Sequence, residues 1–214
     1  MLRVIIAILA LSTAQVQAGA WPREKGSVFL SYSLEIETEA PYQTYGTIYG
    51  EYGVTDKLTL GLDLGGDDTV SDKAFVFARY PGKPAAVGIL SAWEIAIGMA
   101  ENELAFRPGV SIGRGIKWVE IDGWLGLETR SIIFSNGLAG DFEADATLGL
   151  SVTKQSKLIF QLQGRIPPIE PAYIKLAPSY IFEQRSGRHL EAGIITGVMG
   201  TDELKLKFGA WHHF

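Results

Sequence analysis

Apolar and polar side chains alternate along most of this chain, and short runs rich in glycine, proline or charged residues interrupt the alternation. From Gly26 to Glu37, Val28, Leu30, Tyr32, Leu34 and Ile36 take one parity; Ser27, Ser31, Ser33, Glu35 and Glu37 take the other, with Phe29 the exception. A period of two belongs to an extended strand with one apolar and one polar face. The same reading continues through Tyr42–Gly53, Leu58–Leu64, Lys73–Tyr80, Val87–Met99, Leu104–Ile112 and Lys117–Arg130. It resumes at Asp141–Val152, Leu158–Ile166, Ala172–Glu183 and His189–Met199, and ends with a strand running from Thr201 to Phe214. Turn residues fall between these runs: Ala40-Pro41, the polar stretch inside Tyr52–Leu58, Pro81–Pro84, Gly113-Arg114-Gly115, Ser135–Gly140, Pro167-Pro168 and Gln184–Gly187. Pro108 and Pro178 sit inside predicted strands, where each costs a ladder hydrogen bond unless a bulge absorbs it.

The N-terminal residues follow a different pattern. Met1-Leu2-Arg3 is a short basic lead, and Val4 to Leu11 is an apolar run too short to cross a bilayer as a helix. Residues 1–18 are therefore expected to be a cleaved secretory signal, with Val16-Gln17-Ala18 as the cleavage sequence, or cleavage after Ala20 as the alternative. Residues 19–214 then form one domain.

Twelve antiparallel strands in an exported chain predict an all-β, transmembrane, up-and-down β-barrel. The even-numbered alternatives are ten and fourteen strands. A sheet can cross lipid only if it closes, because every backbone N–H and C=O there must be paired within the protein. Tyr52, Tyr80, Tyr180, Phe182 and Phe214 fall near the ends of strands, where an interfacial aromatic girdle is expected. An exported soluble ligand-binding barrel would share the alternation, but tends to have shorter strands and fewer apolar residues.

The terminal stretch carries a resemblance. Lys207, Gly209, His212 and Phe214 are spaced as in the C-terminal assembly signal of Gram-negative outer-membrane β-barrels, although His212 stands where a hydrophobe is usual. The Tyr52–Leu58 turn also resembles the short periplasmic turns of small uncharacterised porin-like and putative transporter barrels. This likeness implies insertion by the barrel-assembly machinery, pairing of the last strand with the first, both termini on the periplasmic side, and surroundings of outer-membrane lipid and lipopolysaccharide.

Charge enters next, because the polar parity would face the lumen. Glu94, Glu120, Asp122, Glu128, Glu143 and Asp145 on that parity are set against Arg165, Lys175 and Lys205. Glu120, Asp122, Glu128, Glu143 and Asp145 are expected to form an acidic wall on adjacent strands, favouring cations or basic solutes in a water-filled pore. Passive passage of a small solute is the expected function. A barrel plugged by its own ion pairs, with a structural or export-accessory role exercised through its extracellular loops, is the alternative.

Composition narrows the remaining chemistry. With no cysteine among 214 residues there are no disulfides, thiolate metal sites or cysteine nucleophiles. A net charge of −5 with no basic cluster makes a nucleic-acid partner unexpected. His189, His212 and His213 fall at proposed periplasmic ends, no nucleophile elbow or zinc-helix motif occurs, and adjacent histidines on a strand point to opposite faces. The cluster Asp67, Asp68 and Asp72 lacks the spacing of a calcium loop. No enzyme activity, metal or cofactor is expected.

Overall fold

In a computed structural model, residues 19–67, 71–83 and 88–214 are described. The signal segment, Asp68 and Val87 lie outside the described residues. The strands are β1 (Val28–Glu37), β2 (Thr44–Gly53), β3 (Thr59–Gly66), β4 (Ser71–Pro81), β5 (Ile89–Ala100) and β6 (Glu103–Trp118). They continue as β7 (Ile121–Phe134), β8 (Ala139–Ser151), β9 (Ser156–Ile166), β10 (Tyr173–Arg185), β11 (Arg188–Met199) and β12 (Leu204–His213). Each pairs antiparallel with its neighbours in sequence, and β1 pairs with β12, so the sheet closes into a twelve-strand barrel.

The closing seam runs from Phe29 opposite His213 to Glu37 opposite Lys205. Beyond the strand end, Phe214 N donates to Val28 O at 2.9 Å and Val28 N donates to Phe214 O at 3.1 Å. The terminal residue thus completes the seam with its backbone. Its ring faces outward, exposed.

The apolar parity forms the outer surface. Leu34, Ile48, Val76, Ile95, Ile97, Leu125, Leu162, Ile194 and Leu206 are all exposed, so the belt continues around the barrel. Water would not tolerate a continuous apolar belt of this kind, whereas hydrocarbon matches it. Tyr52, Tyr80, Tyr180, Phe182 and Phe214 are exposed at the end of the barrel that carries both termini, in the position of an interfacial girdle. At the opposite end the connections between strands span only two to six residues.

Three expectations are corrected. Gly113-Arg114-Gly115 is not a turn: β6 runs straight through it, and the chain reverses at Val119-Glu120, where Val119 takes a φ of 58°. Lys117 therefore ends β6 instead of opening the seventh strand. Asp72 lies within β4 rather than in a loop, and its carboxylate accepts a 3.0 Å hydrogen bond from Tyr45 OH. Both prolines do sit in strands. Pro108 pairs with Ile95 of β5 and Pro178 with Phe160 of β9, while the pairing on their other flanks, toward β7 and β11, skips these positions. Each missing N–H thus weakens one ladder only.

Candidate pore lumen

The polar parity lines the interior, and on the β2–β7 side it builds a connected ion-pair network. Arg79 of β4 bonds Glu51 of β2 and, at 2.7 Å, Glu94 of β5. Arg107 of β6 reaches Asp63 of β3 at 2.6 Å and Glu94 at 3.4 Å, and Lys73 of β4 adds a 3.0 Å contact to Asp63. Arg130 of β7 bonds Glu128 at 2.7 Å and lies 3.6 Å from Glu94 and 3.8 Å from Asp145 of β8. Arg79 and Arg107 also lie over the rings of Phe77 and Phe75, at 5.0 and 4.4 Å. Buried charge is costly unless its hydrogen-bonding capacity is met, and here each guanidinium bridges at least two strands.

Two features of the interior leave no trace in the alternation. The first is apolar filling. Phe29, the exception in the first strand, points inward and packs with Ile181 and Trp211, with Tyr49 and Ile159 beside them. Phe75, Phe77, Ala96, Ala100, Ala105 and Ile132 form a second cluster on the β4–β7 wall. The alanines leave room for the neighbouring rings.

The second is the segment that precedes β1, which enters the lumen. Gly19 and Ala20 are buried, Gly19 N donates to Glu128 Oε1 at 2.9 Å, and Trp21 lies against Gly113 of β6. Arg23 N donates to Thr59 Oγ1 at 3.1 Å, and its guanidinium bonds Glu51 and lies 4.5 Å over Phe29. The glycine read as part of a turn is thus the position where this indole needs a bare backbone.

Free space remains in two places. Toward the end away from the termini lies a cavity of about 470 Å³, lined by residues that include Glu35, Tyr45, Arg107, Arg130, Glu143 and Lys205. Toward the termini a cavity of about 250 Å³ is bounded by β7–β12, β1 and β2, among them Trp124, Glu128, Gln161, Ser179 and Trp211. Ser33, Thr47 and Lys207, side by side on β1, β2 and β12, line both cavities.

The candidate residues are distributed as follows. Glu94 is a buried hub of the ion-pair network. Glu128, Glu143 and Asp145 come together: Glu128 faces Asp145 across β7 and β8, and Glu143 faces Arg130. Arg130 stands among these carboxylates. Glu120 and Asp122 are apart from them, exposed at the rim near the β6–β7 turn, and Asp122 is about 20 Å along β7 from Glu128. Arg165 pairs with Asp141 of β8. Lys175 lies 2.5 Å and Lys205 3.3 Å from Glu203, and Lys205 is 3.6 Å from Glu37. Lys207 points inward to Glu191 at 2.9 Å, and Gly209 lies between Ser33 and Glu191 in the sheet. His212 faces outward, stacked between the rings of Tyr32 and Phe214, while His213 faces inward beside Phe29 and His189.

No protein-family model and no curated protein sequence matches the chain. Solved structures do. The KdgM porin superposes with a TM-score of 0.68 at 9% identity, covering 87% of this chain and 99% of that one. The same porin in complex with disordered oligogalacturonate gives 0.66, at the same identity and coverage. The chain has the outer-membrane β-barrel fold. An outer membrane channel from Pseudomonas putida F1 shares it, with a TM-score of 0.60 at 9% identity over 94% of this chain and 100% of that one. At such identity the likeness is one of architecture, so the lumen of this outer-membrane barrel is read from its own side chains.

Proposed function

We propose that this barrel is an outer-membrane channel for passive passage of small hydrophilic solutes. The observation that carries the proposal is a pair of polar-lined cavities, about 470 and 250 Å³, placed one after the other along the lumen with Ser33, Thr47 and Lys207 in the walls of both. The smaller space, about 250 Å³, is large enough to hold several waters. The neighbours of similar architecture, a porin and an outer membrane channel, agree with this reading.

A cation preference is the finer part of the proposal. Lys73, Arg107, Arg130, Arg165, Lys175, Lys205 and Lys207 line the larger cavity, and each is engaged by a carboxylate. Among the described residues, Glu35 and Glu143 line the same cavity with no cation within salt-bridge distance. Uncommitted carboxylates set the sign of the local field that a permeating ion meets.

The test is single-channel conductance of the chain purified from outer membranes, with heat-modifiable gel migration as the check on folding. Discrete conductance steps with a reversal potential displaced toward cations are expected. A folded barrel that stays electrically silent would overturn the channel. It would support the second reading, a plugged barrel, which the segment Gly19–Arg23 inside the lumen favours.

A further inference from the structure

We infer that signal removal occurs between Ala18 and Gly19, and that the α-amino group it releases is a working part of the lumen, docked as an ammonium on Glu128. The sequence admits cleavage after Ala18 or after Ala20. The interior distinguishes them. Gly19 is buried, and its nitrogen lies 2.9 Å from Glu128 Oε1, while Arg130 engages the other carboxylate oxygen at 2.7 Å. Ala20 is 1% exposed and sits, with the ring of Trp21, over Gly113. A Cβ on residue 19 would stand 2.9 Å from Ser111 Oγ and 3.1 Å from both the Arg79 guanidinium carbon and Glu128 Oε2, so the missing side chain lets these groups close around the nitrogen. A chain starting at Trp21 would leave the Gly19 and Ala20 site vacant and Glu128 Oε1 without this donor.

The chemistry is a hydrolysis by a signal peptidase. Water attacks the Ala18 carbonyl carbon and the C–N bond to Gly19 breaks. Ala18 leaves as a carboxylate, and the Gly19 nitrogen takes up both protons of that water to become an ammonium. A neutral amide hydrogen bond to Glu128 thereby becomes a charge-assisted one, the stronger class. The facing cations do not oppose it unscreened: Arg79 is held by Glu51 and Glu94, and Arg130 also lies within 4 Å of Glu94 and Asp145. Glu128 lines the smaller cavity, so the ammonium is a fixed positive charge at the edge of that space. The inference stands whether or not the barrel conducts, because it concerns how the N-terminal segment is anchored.

Two measurements test it. The intact mass and N-terminal sequence of protein recovered from outer membranes should give a chain beginning at Gly19. A start at Trp21, or an uncleaved chain, would overturn the inference. Amine-reactive labelling, resolved by mass spectrometry of the N-terminal peptide, should then be at least about tenfold slower at the α-amine of the folded barrel than in the urea-unfolded chain. Equal rates would overturn the docking. Glu128→Gln, checked for folding by heat-modifiable migration, should restore several-fold faster labelling. Retained protection would remove Glu128 as the anchor. The wild-type comparison needs no variant and decides the docking even if Glu128→Gln does not insert.

Discussion

Individual side chains in this lumen differ in how fully they are committed. Arg107 is 1% exposed and joins Asp63 to Glu94, so Arg107→Met leaves two buried carboxylates short of a partner. Because Lys73 remains on Asp63 and Arg79 on Glu94, the loss should fall below the ~3–5 kcal/mol of a wholly unpaired buried charge, and it is read as a lower urea midpoint of the refolded barrel in lipid. Glu35 and Glu143 carry no such structural duty. Replacing both with glutamine should leave that midpoint nearly unchanged and move the reversal potential toward the value of an unselective pore. An unmoved potential would remove these carboxylates as the source of cation preference. Glu203, in the connection before β12, responds to pH. Burial raises its carboxyl, but the hydrogen bonds and charges of Lys175 and Lys205 outweigh burial and hold it below its ordinary value. A depressed folded value means that its contribution is complete above the usual glutamate range near ~4.3 and is lost as pH falls through the folded value. Protection of residues 200–203 against hydrogen exchange, corrected for the intrinsic rate at each pH, should therefore fall at acid pH, and Glu203→Gln should flatten that response.

Strands are the scale at which the sequence is most legible. Alternation places the side chains of β1, β3, β5 and β12 on their correct faces, because in a spanning strand only one parity meets lipid. It also brings Glu37 to Lys205 at the closing seam. Alternation records only which face a residue takes, so it is blind to what fills a closed interior. Phe29 and Trp211 are inward aromatics on a parity read as polar, and Gly19–Arg23 enters the barrel ahead of any periodic pattern. Gly113 shows the cost of reading glycine only as punctuation: its missing side chain serves Trp21, and the turn lies six residues further on. Gly113→Val should be tolerated by the strand itself, since β-branched residues suit extended backbone. It should nevertheless displace Trp21, observable as a red-shifted tryptophan emission. An unchanged spectrum would mean that the indole is not seated there. Deleting Phe214 should slow membrane insertion, because its backbone supplies the last two hydrogen bonds to Val28.

The whole barrel fills part of its interior and leaves part of it free. Twelve strands enclose more width than side chains alone need to fill, yet far less than the water-filled bore of a sixteen-strand porin. Here the N-terminal segment and the β2–β7 ion pairs take up part of the surplus, and two cavities remain. A chain expressed without residues 19–25 should keep its strands and show a larger conductance per channel. An unchanged conductance would place the narrowest point elsewhere.

The short connections at the end away from the termini carry their own consequence. Six residues reach at most about 20 Å when fully stretched, and a loop that must return to the sheet covers roughly half of that. Among the described residues, the connections on that side are too short to fold across the mouth as a lid. Any selection by size or charge would then fall to the side chains inside the lumen rather than to the loops.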